Sequence, residues 1–174
     1  MKKKQKVDLT VALLLTLYAI IVLIMPLVKL YNIKIVVITT FAFYGLVNLI
    51  RFFILKNTRD YEGLHYTLTS FGMLLVFLSI KNPSPRNLAL VLFGWIALNS
   101  LAKLKKADYY NDRRDRMYKY GLLDLAIFLI AGIIACINLA YPADVQTLII
   151  GFFLLVNGIL EVFDPIFKSL IAHR

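Results

Sequence analysis

The run LLLTLYAIIVLIM (residues 13–25) is apolar throughout except for one threonine and one tyrosine. It has neither the polar stripe of a surface helix nor the period-two alternation of a barrel strand. No other feature constrains the fold so tightly, and the chain of 174 residues repeats it in several places. A bilayer core about 30 Å thick takes roughly 20 apolar helical residues to cross. Lipid also leaves backbone N–H and C=O groups no partners but one another. The expectation is therefore an all-α, polytopic integral membrane protein with six transmembrane helices, at about 9–30, 33–55, 64–80, 87–103, 119–140 and 145–168. The third and fourth are short, and the first carries Pro26 near its far end. With 60% hydrophobic and only 17% charged residues, an ordinary soluble domain is excluded.

Residues 1–174 read as a single membrane domain. The longest polar stretch, KLKKADYYNDRRDRMYK (103–119), is too short and too charged to bury a core, and 104–118 is expected as a loop. The basic start MKKKQKV resembles that of a signal peptide, but the apolar run after it is too long and no cleavage site follows. An uncleaved first helix is expected. Orientation follows from the cations. The N-terminus, the second and fourth connections and the C-terminus together hold 16 of the 20 Lys and Arg residues. Lys29, Lys34, Lys81 and Arg86 make up the opposite side. The positive-inside rule puts both termini in the cytoplasm, and the membrane expected is the bacterial plasma membrane.

The net charge of +10 thereby has a topogenic origin, with attraction to anionic lipid headgroups at the cytoplasmic face. Nucleic acid is not expected as a partner, since no folded platform for base stacking exists. Tyr61, Tyr66, Tyr109, Tyr110, Tyr118 and Tyr120 are expected at headgroup depth on the cytoplasmic side, with Tyr31 and Tyr141 on the other. The lone Cys136 reads as a packing residue.

Three segments align on an asparagine: FAFYGLVNLI (41–50), LVLFGWIALNSL (90–101) and IIGFFLLVNGIL (149–160). Each falls in the second helix of a hairpin, and a charged residue follows about one turn later: Arg51, Lys103 and Glu161. The turns carry Pro26, Pro83 with Pro85, and Pro142. The pattern predicts three parallel-repeat hairpins, about 9–55, 64–104 and 119–168, all inserted the same way up. In this pattern, and most closely in LLDLAIFLIAGIIACINLAYPADVQTLIIGFFLLVNGILEVF (122–163), the chain resembles the HdeD family of small bacterial membrane proteins. The resemblance implies a non-catalytic protein associated with acid resistance. It supplies no functional residues to carry over.

The intramembrane polar residues form the candidate site: Asn48, Arg51, Asn99, Lys103, Asp124, Asn157, Glu161 and Asp164. Two readings of the asparagines are open. They serve as interhelical hydrogen-bonding groups, or, meeting near the repeat axis, they line a water or ion path. Glu161 and Asp164 are three apart and share a helical face. An isolated carboxylate there would be destabilised, so pairing with Arg51, Lys103 or both is expected, with Asp124 able to join. A sharper alternative makes Glu161 a proton sensor. His65 reads as interfacial.

No metal-ligand spacing, nucleophile elbow, kinase set or phosphate loop occurs, so neither cofactor nor catalysis is expected. Three function classes remain: a non-catalytic membrane protein of the stress-associated type, a small transporter or substrate-binding importer subunit, and a membrane scaffold docking a cytoplasmic protein partner through 104–118. An outward-opening polar pocket would favour the second, a closed bundle the first.

Overall fold

The structure, a computed structural model, describes residues 3–29, 32–56, 61–81, 84–113, 115–137 and 141–172. Tyr31, Pro83, Lys2, Arg59, Arg114 and Arg174 lie outside the described residues. Among the described residues six helices form: α1 (Lys3–Ile24), α2 (Ile33–Leu55), α3 (Glu62–Ser79), α4 (Pro85–Asp112), α5 (Met117–Ile137) and α6 (Ala143–Ala172). Five of them, all but α3, are long and apolar enough to cross a membrane. The first half of α3 is polar (EGLHYTLTS), which sets it apart from the others.

Local chemistry places the boundaries. α1 ends at Ile24 rather than near residue 30, because Pro26 has no N–H to continue the helical ladder. The chain then turns with Lys29 in the left-handed region (φ 59°). Asn32 caps α2, its Oδ1 accepting from the N–H groups of Lys34 (3.1 Å) and Ile35 (3.4 Å). Ser84 caps α4 by accepting from Asn87 N–H at 3.3 Å, with Pro85 at the first helical position. The largest departure from expectation lies in 104–118, which is helical through Asp112. Lys103, Ala107 and Tyr110 recur at helical spacing and are all buried, so this polar segment has an inward face that holds it as a continuation of α4.

The helices do not pack most closely within sequential hairpins. The extensive seams are α2 on α3, α4 on α5 and α6 on α1, whereas α1–α2, α3–α4 and α5–α6 meet less intimately. Small residues allow the close approach. A Cβ at Gly63 would stand 3.0 Å from the Asn48 carbonyl oxygen, and one at Gly158 would stand 3.0 Å from Thr16 Cα. Trp95 of α4 occupies the middle of the bundle. It lies 5.5 Å from the Phe41 ring, 5.0 Å from Tyr44 and 6.2 Å from Phe153, so that α2, α4 and α6 meet around one indole. Leu14, Leu17, Ile21, Phe53, Leu75, Leu90, Ile130 and Phe152 are among many large apolar side chains on the outside. Such a surface, wrapped around apolar helices, is compatible with a membrane protein.

Candidate functional site

Charged side chains gather at the end of the bundle that carries both termini. That end collects the starts of α1, α3 and α5 and the last turns of α2, α4 and α6, because consecutive helices run antiparallel. Lys103 of α4 sits 2% exposed between Asp124 of α5 (2.9 Å) and Glu161 of α6 (2.8 Å). Its ammonium also lies 5.1 Å from the centre of the Phe128 ring. Arg51 of α2 pairs with Asp8 of α1 (3.0 Å) and Glu62 of α3 (2.8 Å). Lys106, one turn beyond Lys103, bridges Glu62 (3.1 Å) and Asp164 (3.0 Å). Lys168 closes on Asp164 at 2.6 Å, four residues back along α6.

Among the described residues the layer holds five carboxylates and four cations in two adjoining groups, Lys103 with Asp124 and Glu161, and Arg51, Lys106 and Lys168 with Asp8, Glu62 and Asp164, and every helix contributes at least one of them. Its bonds cross the α2–α3 seam (Arg51–Glu62) and the α4–α5 seam (Lys103–Asp124). They also tie α6 to α4 through Lys103–Glu161 and Lys106–Asp164. Charges in a low-dielectric site are tolerated when paired and costly when one partner is removed. The arrangement therefore acts as a directional clasp across the whole end.

One turn further into the bundle lies a neutral polar tier. Asn48, Asn99 and Asn157 are all buried there. They do not form one cluster. Asn48 donates to the Tyr44 carbonyl of its own helix (2.9 Å), and Asn99 accepts from Thr69 of α3 (2.8 Å). Asn157 faces the Tyr44 hydroxyl. Trp95 donates to Ser70 at 3.0 Å just beneath. With Tyr44 and Trp95 standing between α2, α4 and α6, Asn48 bonds its own helix, Asn99 reaches α3 and Asn157 meets Tyr44, and among the described residues no hydrogen bond links the three amides to one another.

The expected partner of Glu161 is found in Lys103, and Asp124 does join it. Arg51 does not pair with Glu161. It is taken up by Asp8 and Glu62, which sequence reasoning overlooked along with the inward roles of Lys106 and Lys168. A usable signal existed, because the first helix of each proposed hairpin carries an acid near its start: Asp8, Glu62 and Asp124. Tyr66, expected at headgroup depth, is instead fully buried, edge-on to Tyr44 with ring centres 6.0 Å apart. His65 sits partly buried and donates from Nε2 to the Leu98 carbonyl at 3.0 Å. Tyr120 donates to the Leu160 carbonyl at 2.7 Å, beside the stretch of α6 where Pro165 removes a backbone donor.

At the opposite end, a cleft between α2, α3, α4 and α6 holds only about 80 Å3 and is lined by Phe77, Leu88 and Gln146 among others. Larger clefts lie at the charged end, among them one of about 230 Å3 beside Lys6 and Arg51. One of about 620 Å3 adjoins the turn between α4 and α5, and one of about 630 Å3 is bordered by α1, α3, α4 and α6. Comparison with known proteins gives no match: no family model, curated protein or solved structure aligns with this chain.

Proposed function

We propose that the chain is a non-catalytic, six-span protein of the bacterial plasma membrane that responds to acid through its charged layer. Both termini are cytoplasmic, and the three hairpins are inserted the same way up. α3 serves as the sixth span: its 18 residues rise about 27 Å, near the thickness of the hydrocarbon core. Its Thr67, Thr69 and Ser70 are buried against neighbours, while Leu68, Leu75 and Leu78 face outward. Support for the repeat comes from the cyclic order of the close seams and from the matched burial of Asn48, Asn99 and Asn157. The resemblance to the HdeD family supplies the expectation of an acid-stress role.

The observation that carries the proposal is the interlocked layer of five carboxylates and four cations. Carboxylates have reference pKa values near 4, far below those of lysine and arginine. Acid therefore neutralises one half of the clasp and leaves the cations charged without counter-charges. Stability contributed by the layer is present near neutrality and lost as pH falls. Detergent melting temperatures of the parent and of Glu161→Gln, measured between about pH 4 and pH 7.5, test this. The variant should melt lower at pH 7.5, and the two should converge toward pH 4. Parallel curves would remove Glu161 from the acid response. Topology is tested separately by single cysteines at Asn32, Ser84 and Asp144, which should react with an impermeant thiol reagent added outside. One at Asn111 should not, and the reverse pattern would sink the termini-inside orientation.

Among the described residues, the cleft of about 80 Å3 at the end opposite the termini lends the importer class no support, since small-molecule sites occupy roughly 300–1,000 Å3. A scaffold role keeps one specific support, the hollow of about 620 Å3 lined by Asn111, Asp115, Arg116, Tyr118 and Lys119. Exchanging Arg116 for Glu would test partner docking without removing Lys106, which deletion of the segment would do.

A further inference from the structure

At the charged end, consecutive helices are tied together in two places and stand apart in a third. Between α3 and α4, the His65 ring reaches the Leu98 carbonyl at 3.0 Å. Between α5 and α6, the Tyr120 hydroxyl reaches the Leu160 carbonyl at 2.7 Å. The start of α1, KKQKVDLTVALL (3–14), has no ring to offer α2. Its Thr10 hydroxyl turns back to the Lys6 carbonyl of its own helix at 3.0 Å. α1 is meanwhile drawn onto α6 at Gly158, and α2 onto α3 at Gly63. The α1–α2 seam therefore closes only deeper, where Tyr18 meets Thr39 and Thr40. Above that point lies a groove of about 230 Å3. Val11 and Val47 form its buried floor, and Leu14, Ile50 and Ile54 are its exposed apolar rims. From Lys6 to Leu14 it runs about 12 Å along α1.

We infer that this groove holds one acyl chain of an anionic phospholipid, with the headgroup against Lys6 and Lys3. The groove opens on the apolar outer surface, and for a bundle that spans a membrane the medium there is lipid. A narrow trough gives a flexible chain more dispersion contacts than a convex helix face does. Its volume lies below the roughly 300–1,000 Å3 of a compact small-molecule site. The lysines set the headgroup preference. Lys6 stands at the mouth, and Lys3 lies one turn before Val7 on the same face of α1. Both are exposed, and neither joins an ion pair among the described residues. Arg51 also borders the groove, but Asp8 and Glu62 already match its charge. A second copy of the chain would bring the same cations to this face, and like charges oppose that contact. The site rests on the membrane-spanning reading and is independent of the acid response.

The test is photolabelling of the purified full chain in phosphatidylcholine nanodiscs, with trace phosphatidylglycerol or phosphatidylcholine carrying a diazirine in one acyl chain. Labelled positions are read by mass spectrometry. The phosphatidylglycerol probe should label Leu14, Ile50 and Ile54 well above Leu101 and Leu123, which are exposed beside the charged layer on α4 and α5. Unlabelled phosphatidylglycerol should compete saturably, and the phosphatidylcholine probe should show no such preference. Thr10→Trp places an indole across the groove and should abolish the excess at Ile50 and Ile54. Thr10 is exposed, so the exchange leaves the core intact. Lys6→Gln should raise the competing concentration about fivefold, the contribution of one basic residue near an anionic headgroup. Lys81→Gln, at the far end, should leave it unchanged. Equal labelling of groove and control positions, equal labelling by both probes, or an excess that survives Thr10→Trp would overturn the site. Protection of the groove from both probes would mean that protein covers it, and would overturn the site likewise. Labelling of no helix at all would remove the membrane-spanning reading and the site with it.

Discussion

The two ends of the bundle are closed by different chemistry. Where the termini lie, carboxylates and cations from all six helices interlock at 2.6–3.1 Å. At the other end Val22, Val36, Phe77, Leu88 and Ala135 close the helices by apolar contact. Polar groups there mostly finish the backbone, as when Gln146 Nε2 donates to the Tyr141 carbonyl at 2.7 Å. Apolar closure has no preferred partner and does not respond to protons. Charged closure is specific about its partners, and the loss of one is expensive because the other stays buried. An acid response should therefore be confined to one end of the molecule.

The strongest way to break that contrast is Lys103→Met. It leaves Asp124 and Glu161 buried without their shared cation, and should cost about 3–5 kcal/mol at neutral pH. Denaturation in mixed micelles would measure it. Leu88→Met at the other end keeps volume and polarity and should cost less than about 1.5 kcal/mol. Equal effects would mean that the charged layer is wet and contributes little.

A second substitution asks whether the clasp or the seams hold the helices in register. A Cβ at Gly158 would stand 2.6 Å from Thr16 Oγ1 and 3.0 Å from Thr16 Cα, and the second distance leaves backbone nothing to rotate away. Gly158→Ala should destabilise the α6–α1 seam by about 1–3 kcal/mol at every pH. At Gly72 nothing lies within 4 Å of an added Cβ, so Gly72→Ala should be neutral or slightly stabilising through helix propensity. Thermal melts of both variants against the parent would separate the two. A pH-dependent Gly158→Ala penalty would show that the seam and the clasp act as one unit.

What the sequence makes legible follows from which forces have a period. Apolar runs report the helices, and aligning the three asparagines put Arg51, Lys103 and Glu161 at one depth, which is why the Lys103–Glu161 pair could be read in advance. Lys106 and Lys168 were hidden because counting cations by connection treats every lysine past an apolar run as solvated, and Asp8 because an acid among the N-terminal lysines reads as part of a solvated charged start. α4 and α6 continue as helices beyond those runs, so residues one turn further out still point inward. The asparagines misled in another way. Their shared depth was readable, but whether three amides meet depends on what fills the axis, and Trp95 is distinguished from any other apolar residue only by its packing. Tyr66 shows the same limit: a tyrosine near a helix start signals an interface until Tyr44 is known to stand beside it.

The smallest expected effect sharpens the comparison most, because it removes a polar contact between helices without touching a charge. Tyr18 of α1, in the half of the bundle away from the clasp, meets Thr39 Oγ1 at 2.9 Å and Thr40 Oγ1 at 3.1 Å on α2. Replacing it by phenylalanine deletes the hydroxyl but keeps the ring, which stacks on Phe43 with centres 4.6 Å apart. Neither threonine is orphaned. Thr39 still donates to the Ile35 carbonyl at 2.9 Å, and Thr40 to the Val36 carbonyl at 2.7 Å. Interhelical hydrogen bonds within membranes average about 0.6 kcal/mol, so Tyr18→Phe should lower stability by that order and no more. None of the three hydroxyls titrates in the acid range, so the difference from the parent should stay constant between about pH 4 and pH 7.5. Lys103→Met should behave oppositely, approaching or passing the parent as its two unpaired carboxylates become neutral while the parent keeps a buried ammonium whose partners have lost their charge. Melting temperatures of the three proteins at each pH decide the matter. If Tyr18→Phe also converges on the parent in acid, the loss of stability is a general loosening of the bundle, and the charged end has no privileged part in it.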